Sequence, residues 1–459
     1  MDLVINMNKS YWQKTTQRKK EKSIQQDLKA DIVIIGGGLA GVSLAYQFKD
    51  TNLKVIVLEK DQLGSHTSGH TTAKVTVLHD LIYKKIVDHY DIHQAYLYYK
   101  SNEQALQEIT DIIEKEKIDC DYQENTSFIY TDDPQYVKDI KQQQAIFQSL
   151  RVPYIEDKKY LASIGLEHQA IFHPLKYLYA LVDICQKHDI DFYENSEVVH
   201  IQRKEESFLL KVNEHQIECQ YLIHATRYPF IKKGLYFMKL FQEREFIDLK
   251  HFKKDNNSYL CVDSIYSYRP TQQHSLEIKK DASDWYAQDS IPLRGIPYIG
   301  KLNRYDEEYI VYGFQKWGMT LSQVSAKLIA DLILERDNPY EELYSCQYFS
   351  ISCAKEYIPK IMNNVKRGYL SHRYQTVPLK SLEKNQGGLV KENHSIYAVY
   401  CDDKGKYHYF SPYCPHLKCV IQFNEKTQTW DCPCHQSVYD AYGNVIEGPS
   451  LYSLPIKKD

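Results

Sequence analysis

A chain of 459 residues, 43% hydrophobic and 25% charged, has room for about three average domains and the balance of a globular protein. Its formal net charge of -3 offers no field to attract nucleic acid, so that class of partner is set aside. Five of the 11 cysteines, Cys401, Cys414, Cys419, Cys432 and Cys434, crowd toward the C-terminal end, which points to a local metal site before a general disulfide framework.

Residues 1–30 carry Lys9, Lys14, Arg18, Lys19, Lys20, Lys22 and Lys29 and lack the long apolar core of an export signal. They read as a polar extension, and the location expected is cytoplasmic. Residues 31–35 are a short apolar run, 39–48 have helical periodicity and 54–58 are strand-like again, which together make a βαβ unit and hence parallel sheet. The uncharged stretch 32–48 contains a glycine turn, so it fits a strand entering a helix better than a transmembrane segment. Residues 83–117 read as one or two amphipathic helices and 135–150 as another, so 76–161 is expected to be rich in helix. Strand patterns return at 197–202, 208–212, 219–224 and 310–314, and an amphipathic helix over 320–335 ends before Asn338-Pro339. A polar connector at 346–368, with Cys346 and Cys353, precedes short strands broken by Gly387-Gly388, Asp402-Asp403, Gly405 and Gly443. That stretch, 369–459, is expected to be a separate small all-β domain.

Gly36-Gly37-Gly38-Leu39-Ala40-Gly41 satisfies GxGxxG directly after a strand and at the start of a helix. Gly36 permits the tight turn, Gly38 lets the backbone approach a pyrophosphate at the helix N-terminus, and Gly41 allows helix to pack closely on strand. Glu59 closes the second strand, where its carboxylate can accept from both ribose hydroxyls of an adenosine. The motif by itself fits FAD and NAD equally.

Residues 31–64, with Gly69-His70-Thr71-Thr72-Ala73-Lys74 after them, resemble the D-amino-acid-oxidase-like family of FAD oxidoreductases, in particular its bacterial members with a C-terminal Rieske domain. The resemblance recurs at Ala225-Thr226-Arg227-Tyr228-Pro229-Phe230, at Ile296-Pro297-Tyr298-Ile299-Gly300 and at Gly313-Phe314-Gln315-Lys316-Trp317-Gly318-Met319-Thr320, and so covers nearly the whole chain. It implies an α/β FAD-binding body, Rossmann-like and of glutathione-reductase type, with an α+β substrate domain, together spanning 31–345, and FAD as cofactor. It further implies that Thr71, Thr72, Val199 beside Val198, Gly313, Trp317, Gly318, Met319 and Thr320 contact the flavin. For Trp317 and Met319 the competing role is core packing.

Cys414-Pro415-His416 and Cys432-Pro433-Cys434-His435 set two Cys-His pairs either side of fifteen residues, 417–431. Two thiolates suit one iron of a 2Fe-2S cluster and two neutral imidazoles the other, while the same four ligands also satisfy a structural zinc ion. The segments 414–419 and 431–440 resemble Rieske proteins of the respiratory cytochrome type. That resemblance implies a 2Fe-2S cluster on Cys414, His416, Cys432 and His435, and a disulfide between Cys419 and Cys434. It also implies hydroxyls of Ser437 and Tyr439 that bond to cluster or ligand sulfur, and a third covering loop at Gly448-Pro449. The chain departs from the family at Lys418 and Gln436, where glycine is usual; a side chain there strains the backbone, so either the turn is shifted or the cluster sits slightly differently.

A flavin accepts two electrons as a hydride and a 2Fe-2S cluster accepts one, so the pair can divide a two-electron oxidation into single steps. The expected function is an FAD-dependent oxidoreductase with a small-molecule electron donor, an amine or amino acid by resemblance, and an unidentified electron acceptor. Arg294, Arg269 and Arg227 are candidates to clamp a substrate carboxylate, against the commoner role of structural ion pairing. Two other classes stand beside this one: an electron carrier or redox sensor without a substrate, and a zinc-loaded assembly protein.

Overall fold

The computed structural model describes residues 9–18, 20–230, 233–252, 254–280, 284–303, 305–347, 359 and 375–457. Their contacts form two compact units. One holds the described residues of 9–227 and 245–350; the other holds those of 228–244 and 351–459. The connector expected at 346–368 lies outside the described residues except for Cys346, Gln347 and Pro359, as does the start of the C-terminal domain up to 374.

The larger unit opens with helix α1 (Tyr11–Thr15), then strand β1 (Leu28–Ile35), helix α2 (Leu39–Gln47) and strand β2 (Val55–Leu58), the expected βαβ start. Helix α3 (Thr67–His70), strand β3 (Lys74–Val75) and helices α4 (Ile82–His89) and α5 (Ile92–Lys115) follow. Next come β4 (Gln123–Thr131), α6 (Pro134–Ser149), β5 (Ala162–Ile171), α7 (Pro174–Gln186), β6 (Asp191–Tyr193), β7 (Val198–Arg203), β8 (Phe208–Val212) and β9 (His215–His224). The last stretch holds β10 (Leu240–Lys250), whose first residues group with the other unit, β11 (Ser258–Cys261), β12 (Ser267–Pro270), β13 (Ser275–Ile278) and β14 (Trp285–Pro292). Strands β15 (Tyr298–Lys301) and β16 (Glu308–Tyr312) and helix α8 (Gly318–Ile333) complete it.

One sheet runs β15-β16-β9-β1-β2-β6, with β8 and β7 added from β9. Strands β9, β1, β2 and β6 pair in parallel. Parallel strands covered on both faces must be apolar throughout, and Ile32 to Ile35 and Val55 to Leu58 are all buried. Helix α2 is buried from Leu39 to Tyr46 and packs on α8, so neither the sheet nor its helices could stand without the other. The second sheet, β14-β10-β13-β12-β11-β4-β5-β3, is the α+β part. Its strand β4 interrupts the region expected to be mainly helical. The segment begins Gln123-Glu124-Asn125, which reads as loop, but its far half is buried between β5 and β11, and tertiary pairing overrides the local pattern. The polar extension is likewise anchored: Trp12 is 2% exposed and Ser10 fully buried.

The smaller unit contains an antiparallel sheet of β17 (Gln386–Glu392), β18 (Ser395–Cys401) and β19 (Tyr407–Phe410). A second sheet is formed by β20 (Gln422–Asn424), β21 (Thr429–Asp431), β22 (Val438–Asp440) and β23 (Val445–Glu447). Its core gathers Phe410, Ile421, Trp430 and Tyr439 together with Cys414, Cys419, Cys432 and Cys434. Among the described residues no helix is long and apolar enough to cross a membrane.

Candidate functional site

The first candidate site lies at the carboxyl ends of β1 and β2, where the parallel register sets Ile35 beside Leu58 and brings Gly36 next to Glu59. Gly36 turns with φ +116°, and a Cβ there would stand 2.6 Å from the Ala225 carbonyl oxygen. At Gly41 a Cβ would fall 2.0 Å from the Gly36 oxygen, so α2 reaches the strand only because both positions are bare. Gly38 is the N-cap of α2 and supplies no side-chain cap. The nearby Ser68 hydroxyl accepts instead from Leu39 N at 2.9 Å. The glycines themselves thus present bare backbone at a helix N-terminus, which fits a dinucleotide pyrophosphate. Glu59 is buried and its two oxygens accept from Gly37 N at 2.8 Å and Asp61 N at 3.0 Å, which fixes the carboxylate and leaves lone pairs for ribose hydroxyls.

Loop 64–73 borders this cradle: Gly64 N donates to Gly37 O at 3.0 Å. Within it Thr71 Oγ1 accepts from Ala73 N at 3.0 Å and holds a turn in which Ala73 takes φ +57°, while Thr72 is half-buried. Lys74, next in chain, is fully buried with Nζ donating to Tyr259 O at 2.8 Å and Ser267 Oγ at 2.5 Å; burial brings its pKa down to about 7.

Other expected flavin residues divide. Gly313 (φ +85°) starts a turn through Gln315 and Lys316, also at positive φ, that delivers the chain to Gly318 at the start of α8. Trp317 caps that helix and stacks on His79 at 4.6 Å between centroids. The side chains of Met319 and Thr320 face the interior. Met319 packs in the main core, and Thr320 Oγ1 donates to Asn102 Oδ1 at 2.9 Å and lies 3.2 Å from His79 Nε2. Val199 is 57% exposed and Val198 is its buried neighbour, with a bulge in β7 between Val198 and His200. His79, which no sequence pattern flagged, is buried, its pKa lowered by that burial to about 3, with Tyr98 OH and Thr76 O as partners.

The arginines also resolve. Arg294 is fully buried and donates to the carbonyls of Ile296 (2.8 Å), Ser345 (2.6 Å), Tyr344 (2.8 Å) and Pro297, so its guanidinium braces backbone and does not clamp a substrate. Arg269 is buried as well, donating to Phe172 O at 2.6 Å and lying over the Trp12 ring. Arg227 is half-buried, with its carbonyl accepting from Ser290 Oγ at 2.8 Å.

The second candidate site is built by two loops with one hydrogen-bonding plan. Cys414 N donates to Cys419 O (2.8 Å) and Lys418 N to Cys414 O (2.9 Å); Cys432 N donates to Ser437 O (2.8 Å) and Gln436 N to Cys432 O (2.9 Å). Lys418 and Gln436 hold equivalent places, at φ +60° and +62°. The turn is therefore not shifted, and the two side chains occupy left-handed backbone where glycine would sit free of strain. A disulfide between Cys419 and Cys434 ties the loops together.

Tyr439 OH lies 3.0 Å from Cys414 Sγ, and Ser437 Oγ accepts from Ser450 N at 2.9 Å, which fastens the 448–450 loop. The rings of His416 and His435 stand 4.9 Å apart. Both His416 nitrogens and His435 Nδ1 are buried without a hydrogen-bond partner among the described residues. Orphaned buried nitrogens beside paired thiols are what an iron centre would satisfy. Burial, reinforced at His416 by His435, pushes the imidazoles down, His416 to about 4, and so keeps them in the neutral state that ligates metal. Hydrogen bonding between the two thiols holds Cys414 below the ordinary range and Cys432 above it. Arg244, distant in sequence, donates to Asp431 Oδ2 at 3.1 Å and Gln436 O at 3.4 Å, and Tyr228 and Phe237 stand edge-on to His416. Sequence reading tied none of these three to the cluster, since nothing local links them to a motif some 180 residues later.

Comparisons with known proteins match both parts of the chain. The FAD-dependent oxidoreductase (DAO) family model matches residues 31–237 and the Rieske [2Fe-2S] domain model matches 372–457. The putative Rieske 2Fe-2S iron-sulfur protein YhfW of Bacillus subtilis is 27% identical, covering 97% of this chain and 96% of its own. The cytochrome b6-f complex iron-sulfur subunit of Synechococcus elongatus is 46% identical over 43 residues, 9% of this chain and 24% of its own. Among solved structures, glycine oxidase from Geobacillus kaustophilus (TM-score 0.59, 12% identity, 70% of this chain and 100% of that one) shares the fold. So does L-amino acid deaminase from Proteus vulgaris (TM-score 0.58, 13% identity, 72% and 100%). With its dinucleotide cradle and its paired Cys-His loops, the chain carries an FAD-dependent oxidoreductase (DAO) region over residues 31–237 and a C-terminal Rieske [2Fe-2S] domain over 372–457.

Proposed function

We propose that this protein oxidises an amine or amino acid at FAD and passes the electrons through its Rieske centre to an acceptor outside the chain, in the cytoplasm. The observation that carries the reading is the presence in one chain of a bare glycine cradle beside Glu59 and a buried set of two thiols and two neutral imidazoles. Bound FAD supplies hydride acceptance from a C–N bond, and a Rieske centre supplies one-electron acceptance at about -150 to +300 mV. The helix N-terminus at Gly38 would hold the pyrophosphate and Glu59 the ribose. Thr71, Thr72 and the Gly313 to Gly318 turn would border the rest of the cofactor. Cys414 and Cys432 would take one iron, and His416 and His435 the other. Tyr439 donates toward Cys414 sulfur, which favours the more electron-rich state. An amine or amino acid donor is favoured by the fold shared with glycine oxidase and L-amino acid deaminase.

The test is an anaerobic panel of amines, amino acids and hydroxy acids, followed by flavin absorbance and by the cluster's paramagnetic signal. Bleaching of flavin by one amine, with the reduced-cluster signal growing in afterwards, is the expected outcome. A panel that leaves the flavin oxidised while dithionite reduces both centres would replace this reading with that of an electron carrier.

A further inference from the structure

Helix α1 is too short to stand alone, yet its Trp12 and its N-cap Ser10 are buried. Ser10 forms a capping box with Gln13, and its Oγ also donates to the Gly69 carbonyl. Gln13 Nε2 donates to Ser65 O at 3.1 Å, and Trp12 Nε1 donates to Thr71 O at 2.7 Å. Three side chains within four residues thus serve three carbonyls of loop 64–73, the loop that borders the glycine cradle through Gly64 N to Gly37 O and Leu39 N to Ser68 Oγ.

The far side of the loop is held independently, by Trp285 Nε1 donating to His70 O at 3.0 Å and Thr67 Oγ1 to Gln288 O at 3.0 Å. The Trp12 indole is fixed between the Arg269 guanidinium, 4.8 Å from its ring, and the His173 ring, 4.8 Å away. A Cβ on Gly69 would come within 2.4 Å of Gly64 O, so the loop folds tightly on itself with no slack of its own to take up.

We propose that Ser10, Trp12 and Gln13 are positioning residues for FAD: they clamp loop 64–73 in the shape that closes the cradle, and so set how tightly the cofactor is held. The proposal rests on the reading that FAD occupies the Gly36 to Gly41 cradle. None of the three touches the cradle itself. Their effect passes through the carbonyls of Ser65, Gly69 and Thr71, and the pre-formed loop spares the cofactor the cost of ordering it.

The experiment uses holoenzyme of the full chain, comparing the parent with Trp12→Phe and Gln13→Ala. FAD release on serial dilution gives the dissociation constant, and the cluster's visible band reports folding of the other unit. Trp12→Phe removes one indole donor while keeping a ring between Arg269 and His173, and its FAD dissociation constant should rise about tenfold, the equivalent of one hydrogen bond, with the cluster band unchanged. Gln13→Ala should give a smaller rise in the same sense. An FAD affinity equal to the parent's in both variants would overturn the proposal, even if melting of the flavin-free protein fell, because that pattern belongs to a purely structural helix. A parent chain that binds no FAD while retaining its cluster would instead overturn the cofactor reading on which the proposal rests.

Discussion

Lys418 and Gln436 each stand four residues after a cluster cysteine, in left-handed backbone that costs a residue with a Cβ about 1–2 kcal/mol. Part of that strain is offset by the extra freedom glycine has in the unfolded chain. Lys418→Gly and Gln436→Gly should therefore each raise the stability of the cluster-bearing unit by about 1 kcal/mol, read as a higher denaturant midpoint for loss of the cluster band. An unchanged or lower midpoint would mean that the side chains contribute contacts outweighing the strain. His173 gives a pH-linked case. Its Nδ1 accepts from Lys176 N as the N-cap of α7, its Nε2 faces Thr15 Oγ1 at 3.0 Å, and burial lowers its pKa to about 4. A folded pKa below the unfolded value of about 6.5 means that its contribution is complete above pH 6.5 and is lost as pH falls toward 4. His173→Asn keeps a capping acceptor without that titration, so its melting temperature should drop less than the parent's between pH 6.5 and 4. Parallel curves would remove His173 from the account. At this scale, the absence of glycine at 418 and 436 was legible in the sequence, but the retained turn was not, because two chain-internal hydrogen bonds in each loop decide it.

Among the elements, the βαβ start was legible because apolar runs, glycines and an acidic strand end all agree there, though β1 begins at Leu28, before the expected Asp31. Gly41→Val places side-chain atoms against the Gly36 carbonyl, so the purified variant should lack flavin and keep its iron; normal flavin content would show that the cradle is not the cofactor site. The two cluster loops were also legible from their ligands, and the disulfide between them follows the resemblance. Tyr439→Phe removes the hydroxyl at Cys414 sulfur and should lower the cluster midpoint potential, as measured by redox titration, without loss of iron. No shift would assign the hydroxyl to packing alone. Illegible elements share a cause: α1 and β4 look polar and short in isolation and owe their form to remote partners, Trp12 to loop 64–73 and β4 to strands β5 and β11. Which of the adjacent Val198 and Val199 faces inward was illegible for a related reason, since a bulge in β7 sets it.

At the scale of the whole molecule, the contiguous body expected over 31–345 is interrupted by 228–244, which group with the Rieske unit. Arg244 shows what this segment does there. Its side chain is 6% exposed and joins the Asp431 carboxylate and the Gln436 carbonyl, either side of the Cys432 to His435 ligand turn. Removing it strips a partly buried carboxylate of its charged donor, so Arg244→Ala should destabilise the cluster-bearing unit by about 1 kcal/mol, seen as an earlier thermal loss of the cluster band. Retention of the parent midpoint would show the pair to be incidental. The most direct test of the account as a whole is cofactor analysis of the protein purified without air, by flavin absorbance, iron and acid-labile sulfide assays and paramagnetic resonance of the reduced sample. The account expects one FAD, two irons and two sulfides per chain with a Rieske-type signal; stoichiometric zinc in a colourless protein, or a chain with neither iron nor flavin, would contradict it.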